Sequence, residues 1–192
     1  KVPVCPGGGT YMHRGNCSVY CTVHGEDDLV VTGDDLLPLL DGDLNGLAGP
    51  TPEAAEADPQ SLSPKEALKK AGLLIREGQI STALPFAQAA NEGLDSSPVS
   101  LNVLGYIHEK LGVLDEAIRY YQKAMEKEPD NPAFANNFAF ACASAGILLS
   151  KAVEKARLAV DLKPTSEHFR DTLGFCLLKM KNYDGAAKAF SK

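Results

Sequence analysis

Small residues recur through about two-thirds of this 192-residue chain at a fixed interval, and no other feature limits its fold as tightly. Gly78, Gly112 and Gly146 are spaced by 34 and 34 residues. Ala71, Gly105, Ala139 and Gly174 follow at 34, 34 and 35, and Ala83, Ala117, Ala152 and Ala186 at 34, 35 and 34. A single extra residue between Gly146 and Ala152 accounts for both longer steps, so two separate series share one offset.

Each unit reads as two helices. Leu101, Leu104, Gly105 and His108 mark an apolar or small stripe at helical spacing between Pro98 and Lys110. Gly112 breaks it, and Ala117, Tyr121 and Ala124 mark a second stripe ending before Pro129. The Gly and Ala positions have a direct cause: paired helices approach closely only where a side chain is nearly absent. Stacked units bury the apolar face that one unit alone leaves open.

These residues resemble the tetratricopeptide repeat (TPR) family. In residues 100–131, Leu104, Gly105, Ala117, Tyr121, Ala124 and Pro129 fall at the family's offsets. Residues 166–192 resemble a further unit through Leu173, Gly174, Tyr183, Ala186 and Phe190, and residues 132–165 a third through Ala139, Ala152, Ala159 and Pro164. Residues 64–97 fit least, with Lys70 where Leu is usual and no closing Pro. The resemblance implies a mainly all-α fold: a TPR superhelix of four helix-turn-helix repeats over residues 63–192, the last one truncated. An uncapped last repeat would favour self-association.

In that family the first helix of each repeat lines a concave groove. Its contact positions, carried onto this sequence, include Leu68 and Ile75 in the first repeat and Asn102, Tyr106 and Glu109 in the second. They include Asn136 and Phe140 in the third, and His168, Asp171 and Phe175 in the fourth. Tyr106, Phe140 and Phe175 would form an aromatic ladder flanked by Asn102 and Asn136, suited to a peptide with apolar anchors. The competing reading is that the aromatics only pack between repeats. Leu68 and Gly72 stand where the family's carboxylate clamp needs Lys and Asn, which argues against capture of a peptide C-terminus.

Charge divides the rest of the chain. Residues 1–25 carry +2 and residues 26–60 carry ten acidic and no basic side chains, leaving +2 beyond them within a total of −6. The acidic stretch, placed at 26–62 with its Pro and Gly, reads as a solvated linker. Its sign difference from the array raises a tethered competitor for the groove as an alternative. The net charge argues against a general nucleic-acid or anionic-membrane binder, and no apolar run approaches the length of a membrane span.

Residues 1–25 hold Cys5, Cys17 and Cys21, with His13 and His24 nearby. Gly7–Gly9 favour a turn and residues 18–23 alternate like a strand, so a small β-hairpin head is expected. Zinc held by Cys5, Cys17, Cys21 and His24 has suitable ligand types but lacks a close Cys-x-x-Cys pair. CPGGGTY followed by CTVHG resembles the tail of bacterial type IV pilin-like and pseudopilin proteins. That resemblance implies a Cys5–Cys21 disulfide, a bacterial extracytoplasmic setting in the periplasm or at the cell surface, and a link to pilus or secretion assembly. Cys142 and Cys176 sit in the helical repeats, where free Cys usually serves as buried filler.

Asp41, Asp43, Asn45 and Gly46 copy the start of an EF-hand calcium loop, but its twelfth position is Pro52 and the nearest Glu is Glu53. No nucleophile elbow, phosphate-cradling loop or H-E-x-x-H is present, and four His are scattered. The expectation is a non-enzymatic interaction scaffold without a cofactor, binding a peptide or protein segment; the alternatives are an assembly component and a metal-binding module. The chain begins at Lys1 with neither Met nor a signal-peptide pattern, as a processed chain or excised fragment would.

Overall fold

The computed structural model describes residues 58–191 and the backbone of Tyr11–Arg14 and Ser18–Cys21. Eight α-helices follow one short 3-10 turn at Pro59–Ser61. They are α1 (Pro64–Arg76), α2 (Ile80–Gly93), α3 (Pro98–Lys110), α4 (Leu114–Lys127), α5 (Pro132–Ala145), α6 (Leu149–Leu162), α7 (Glu167–Lys179) and α8 (Tyr183–Phe190). Helices α1–α4 belong to one compact unit and α5–α8 to another. In the first, α1 pairs with α2, α3 with α4, and α2 packs on α3. In the second, α5 pairs with α6 and α7 with α8, while α7 packs on both α5 and α6. Four hairpins thus correspond to the four sequence units, and α8 is the short one.

The first helix of every hairpin begins at a side-chain cap. Ser63, Ser97, Asn131 and Ser166 accept from backbone N–H groups of Glu66, Ser100, Ala133 and Phe169, and Pro opens α1, α3 and α5. At α1, Glu66 returns a bond to the Ser63 backbone, completing a capping box. Second helices begin two or three residues after a left-handed turn residue, Gly78 (φ 74°), Gly112 (φ 79°), Gly146 (φ 72°) or Lys181 (φ 61°); α2, α4 and α6 have no side-chain cap, while at α8 Asn182 accepts from the Gly185 N–H. The fourth member is not glycine, which is why the sequence series stops at three. The extra residue of the third unit is accommodated at Leu148, also left-handed (φ 50°) and 52% exposed.

Close approach explains the recurrent Gly within the hairpins. A Cβ on Gly105 would lie 2.6 Å from the Tyr121 ring, and one on Gly174 would lie 2.4 Å from the Phe190 ring. In the other two hairpins the small position is Ala71 or Ala139, and the position facing the aromatic's place is Ala87 or Ala156. All four of those alanines are fully buried. Gly therefore goes with a ring and Ala with Ala, two ways of filling one gap at native density.

Near the N-terminus, Tyr11–Arg14 pairs antiparallel with Ser18–Cys21, with Tyr11 opposite Cys21 and Arg14 opposite Ser18. Cys5, Cys17, His24 and the Asp41, Asp43 and Asn45 positions lie outside the described residues, so the expected disulfide, zinc and calcium sites do too. Cys142 and Cys176 are free and buried, as filler would be.

Candidate peptide-binding surfaces

The expected groove positions fall on the first helices of both units. In the first unit, Leu68 and Ile75 on α1 and Asn102 and Tyr106 on α3 are all buried, Asn102 completely. Glu109, in the last turn of α3, keeps only 7% of its side chain exposed. Its Oε2 accepts a 3.0 Å bond from the hydroxyl of Tyr121 on α4, and Lys110 Nζ lies 3.8 Å from Oε1. Burial holds the Glu109 carboxyl above its ordinary range, against the opposing pull of Lys110 and the Tyr121 bond. The same burial, with the Glu109 charge beside it, pushes the Tyr121 phenol well up. This pair ties the end of one helix to its hairpin partner, a structural task that groove spacing alone did not suggest.

In the second unit the structure brings four expected residues together on α5 and α7. The rings of Phe140 and Phe175 are 5.5 Å apart and tilted. Asn136 is fully buried, and its Nδ2 lies 3.1 Å from His168 Nε2. Phe140, His168 and Asp171 keep partly exposed faces, whereas Phe175 is buried. Tyr106, the remaining member of the expected ladder, belongs to the first unit.

Two lysines extend these surfaces and were not singled out from the sequence. Lys110 Nζ sits 5.1 Å from the Tyr106 ring centre and Lys179 Nζ 5.2 Å from that of Phe175. Each lysine follows its ring by four residues on one helix, so the spacing was the readable signal. Among the described residues no group of three or more His, Cys, Asp or Glu is arranged to hold a metal. No described helix is long and apolar enough to cross a membrane.

Residues 98–131 match the family model for the tetratricopeptide repeat. No curated protein matches the chain by sequence. Solved structures that resemble it include MamA of AMB-1, with TM-score 0.59 and 17% identity over 71% of this chain and 80% of that one. A MamA RS-1 double mutant reaches TM-score 0.61 at 16% identity, covering 85% of this chain and 93% of its own. An O-GlcNAc transferase mutant of Thermobaculum terrenum aligns at TM-score 0.57 and 16% identity over 63% of this chain, which spans 23% of that protein. At these identities the likeness is one of fold.

Proposed function

We propose that this chain is a non-catalytic protein–protein interaction scaffold that receives a peptide or protein segment on the first-helix faces of its repeats. The repeat match at residues 98–131 and the likeness to MamA support the scaffold class. The observation that carries the surface is the paired Phe140 and Phe175 rings beside the partly exposed His168 and Asp171 on α5 and α7. Two tilted rings in contact, with an imidazole and a carboxylate on the same helix as one of them, offer an apolar anchor point with polar groups to orient a bound chain. Phe140→Ala and Asp171→Ala should each weaken the chain's affinity for its partner while leaving its unfolding transition cooperative. Unchanged affinity in both variants would remove this surface from consideration.

The cellular setting forms part of the same reading. The resemblance of residues 1–25 to pilin-like tails supports a bacterial extracytoplasmic location with Cys5 bonded to Cys21. Mass measurement without reductant should then give two fewer hydrogens per chain. One chelator-sensitive zinc per chain would replace the disulfide and take the envelope argument with it.

A further inference from the structure

Asn136 is completely buried on α5, and its amide is only half used. Nδ2 points at His168 Nε2 on α7 at 3.1 Å and donates to Asn137 Oδ1 at 3.5 Å, while Oδ1 meets no partner among the described residues. An amide nitrogen has only protons to offer. His168 Nε2 facing it must therefore supply a lone pair, which makes the ring neutral with its proton on Nδ1. An orphaned buried carbonyl oxygen is ordinarily costly, and here it sits on the same side chain that faces a titratable ring.

We propose that Asn136 and His168 form a proton-reading switch across the α5–α7 seam. When His168 takes up a proton, Nε2 becomes a donor and would oppose the Asn136 N–H group. Rotation of the Asn136 amide by half a turn then presents Oδ1 to Nε2–H. Oδ1 gives up no existing partner in that rotation, and the new bond is charge-assisted, hence stronger than the neutral one it replaces. The rotated oxygen would face Asn137 Oδ1, so the bond that Asn136 Nδ2 donates to Asn137 is given up in the protonated state.

The surroundings suit such a device. Helix α5 contains no Asp, Glu, Lys, Arg or His; its one titratable side chain is Cys142, whose thiol burial pushes up to about 11. On α7 itself, Glu167, Arg170 and Asp171 neighbour His168, with Arg170 bonded to the Pro164 carbonyl at 2.7 Å and 4.0 Å from Glu167; Lys179 lies over Phe175. On α6, Lys151 lies over the Phe138 ring and Lys155 pairs with Glu154; Arg157 and Asp161 complete its charges. The short α8 brings Asp184 and Lys188. An imidazole is the side chain whose unperturbed charge change falls between about pH 5 and 8.

NMR on the full chain, titrated from about pH 8 to about pH 5 across the imidazole range, tests the switch without any ligand. At the high end the His168 ring nitrogens should report the Nδ1–H form, and the Asn136 side-chain amide signals should shift with the His168 midpoint. In His168→Gln, which bonds either face of an amide, the Asn136 signals should lose that inflection. A Nε2–H form at high pH, or an Asn136 amide indifferent to the His168 midpoint in the unaltered chain, overturns the proposal. Neither outcome bears on whether the α5–α7 face holds a peptide.

Discussion

Lys181 sits in a left-handed turn that its three counterparts leave to glycine, and its Cβ makes that conformation expensive. Lys181→Gly should stabilise the chain by about 1 kcal/mol, the usual cost of a non-glycine residue there less the entropy glycine adds to the unfolded state. Thermal melting checks it, and a lower midpoint would mean that the lysine side chain contributes more than the turn loses. Glu109 offers a second single-residue test. Its folded carboxyl titrates above the ordinary 4.5, so folding favours the protonated acid. That contribution is complete below the unfolded value and disappears as pH rises through the folded one. Glu109→Gln keeps an acceptor for the Tyr121 hydroxyl and removes the titration. Denaturant unfolding of the variant should lose the part of the stability decline above pH 4.5 that belongs to this group. Identical pH profiles for both chains would show that Lys110 fully offsets the burial of the charge.

The hairpins extend the same reasoning to pairs of helices. Gly105 and Tyr121 fill the space that Ala71 and Ala87 fill in the preceding hairpin. Gly105→Ala alone drives a methyl into a buried ring and should cost roughly 1–3 kcal/mol. Tyr121→Ala alone empties the site and removes the Glu109 hydrogen bond, costing roughly 3–5 kcal/mol, the range for large aromatic truncations. The double variant recreates the Ala–Ala arrangement found elsewhere in the molecule. It should therefore be more stable than the sum of the two losses implies, by a coupling of roughly 1–2 kcal/mol, within the span seen for residues in contact. Strict additivity in a denaturation cycle would show that the two positions do not share one space. Such exchange between Gly with a ring and Ala with Ala was only half legible from sequence. The period exposed which positions are small, but which size sits opposite depends on a residue sixteen or seventeen places further along, on the other helix.

At the scale of the whole chain, the period was enough to place eight helices and their turns, because each repeated small residue answers a steric demand that recurs in every hairpin. The groove was less legible. The offsets implied by the repeat resemblance put Asn102, Tyr106, Asn136 and Phe175 among the groove positions, yet such offsets carry no information on depth, and all four are buried. The Glu109–Tyr121 bond and the Asn136–His168 contact join different helices at distances of 12 and 32 residues, beyond any local pattern. Depth also sets the behaviour of the cysteines. Burial pushes the Cys142 thiol to about 11 and Cys176 to about 12, and Cys176 donates to the Ala139 carbonyl at 3.6 Å. Since only the thiolate is alkylated, roughly one molecule in a thousand at Cys142 and one in ten thousand at Cys176 is reactive near pH 8, before any steric hindrance. Both should resist iodoacetamide in the folded chain. In rising urea both should become reactive over the same narrow range, because α5 and α7 pack within one compact unit and open together. Peptide mapping by mass spectrometry reads each site separately. If Cys176 reacts well before Cys142, α7 with α8 frays as an independent end, and the second unit is less cooperative than its packing implies.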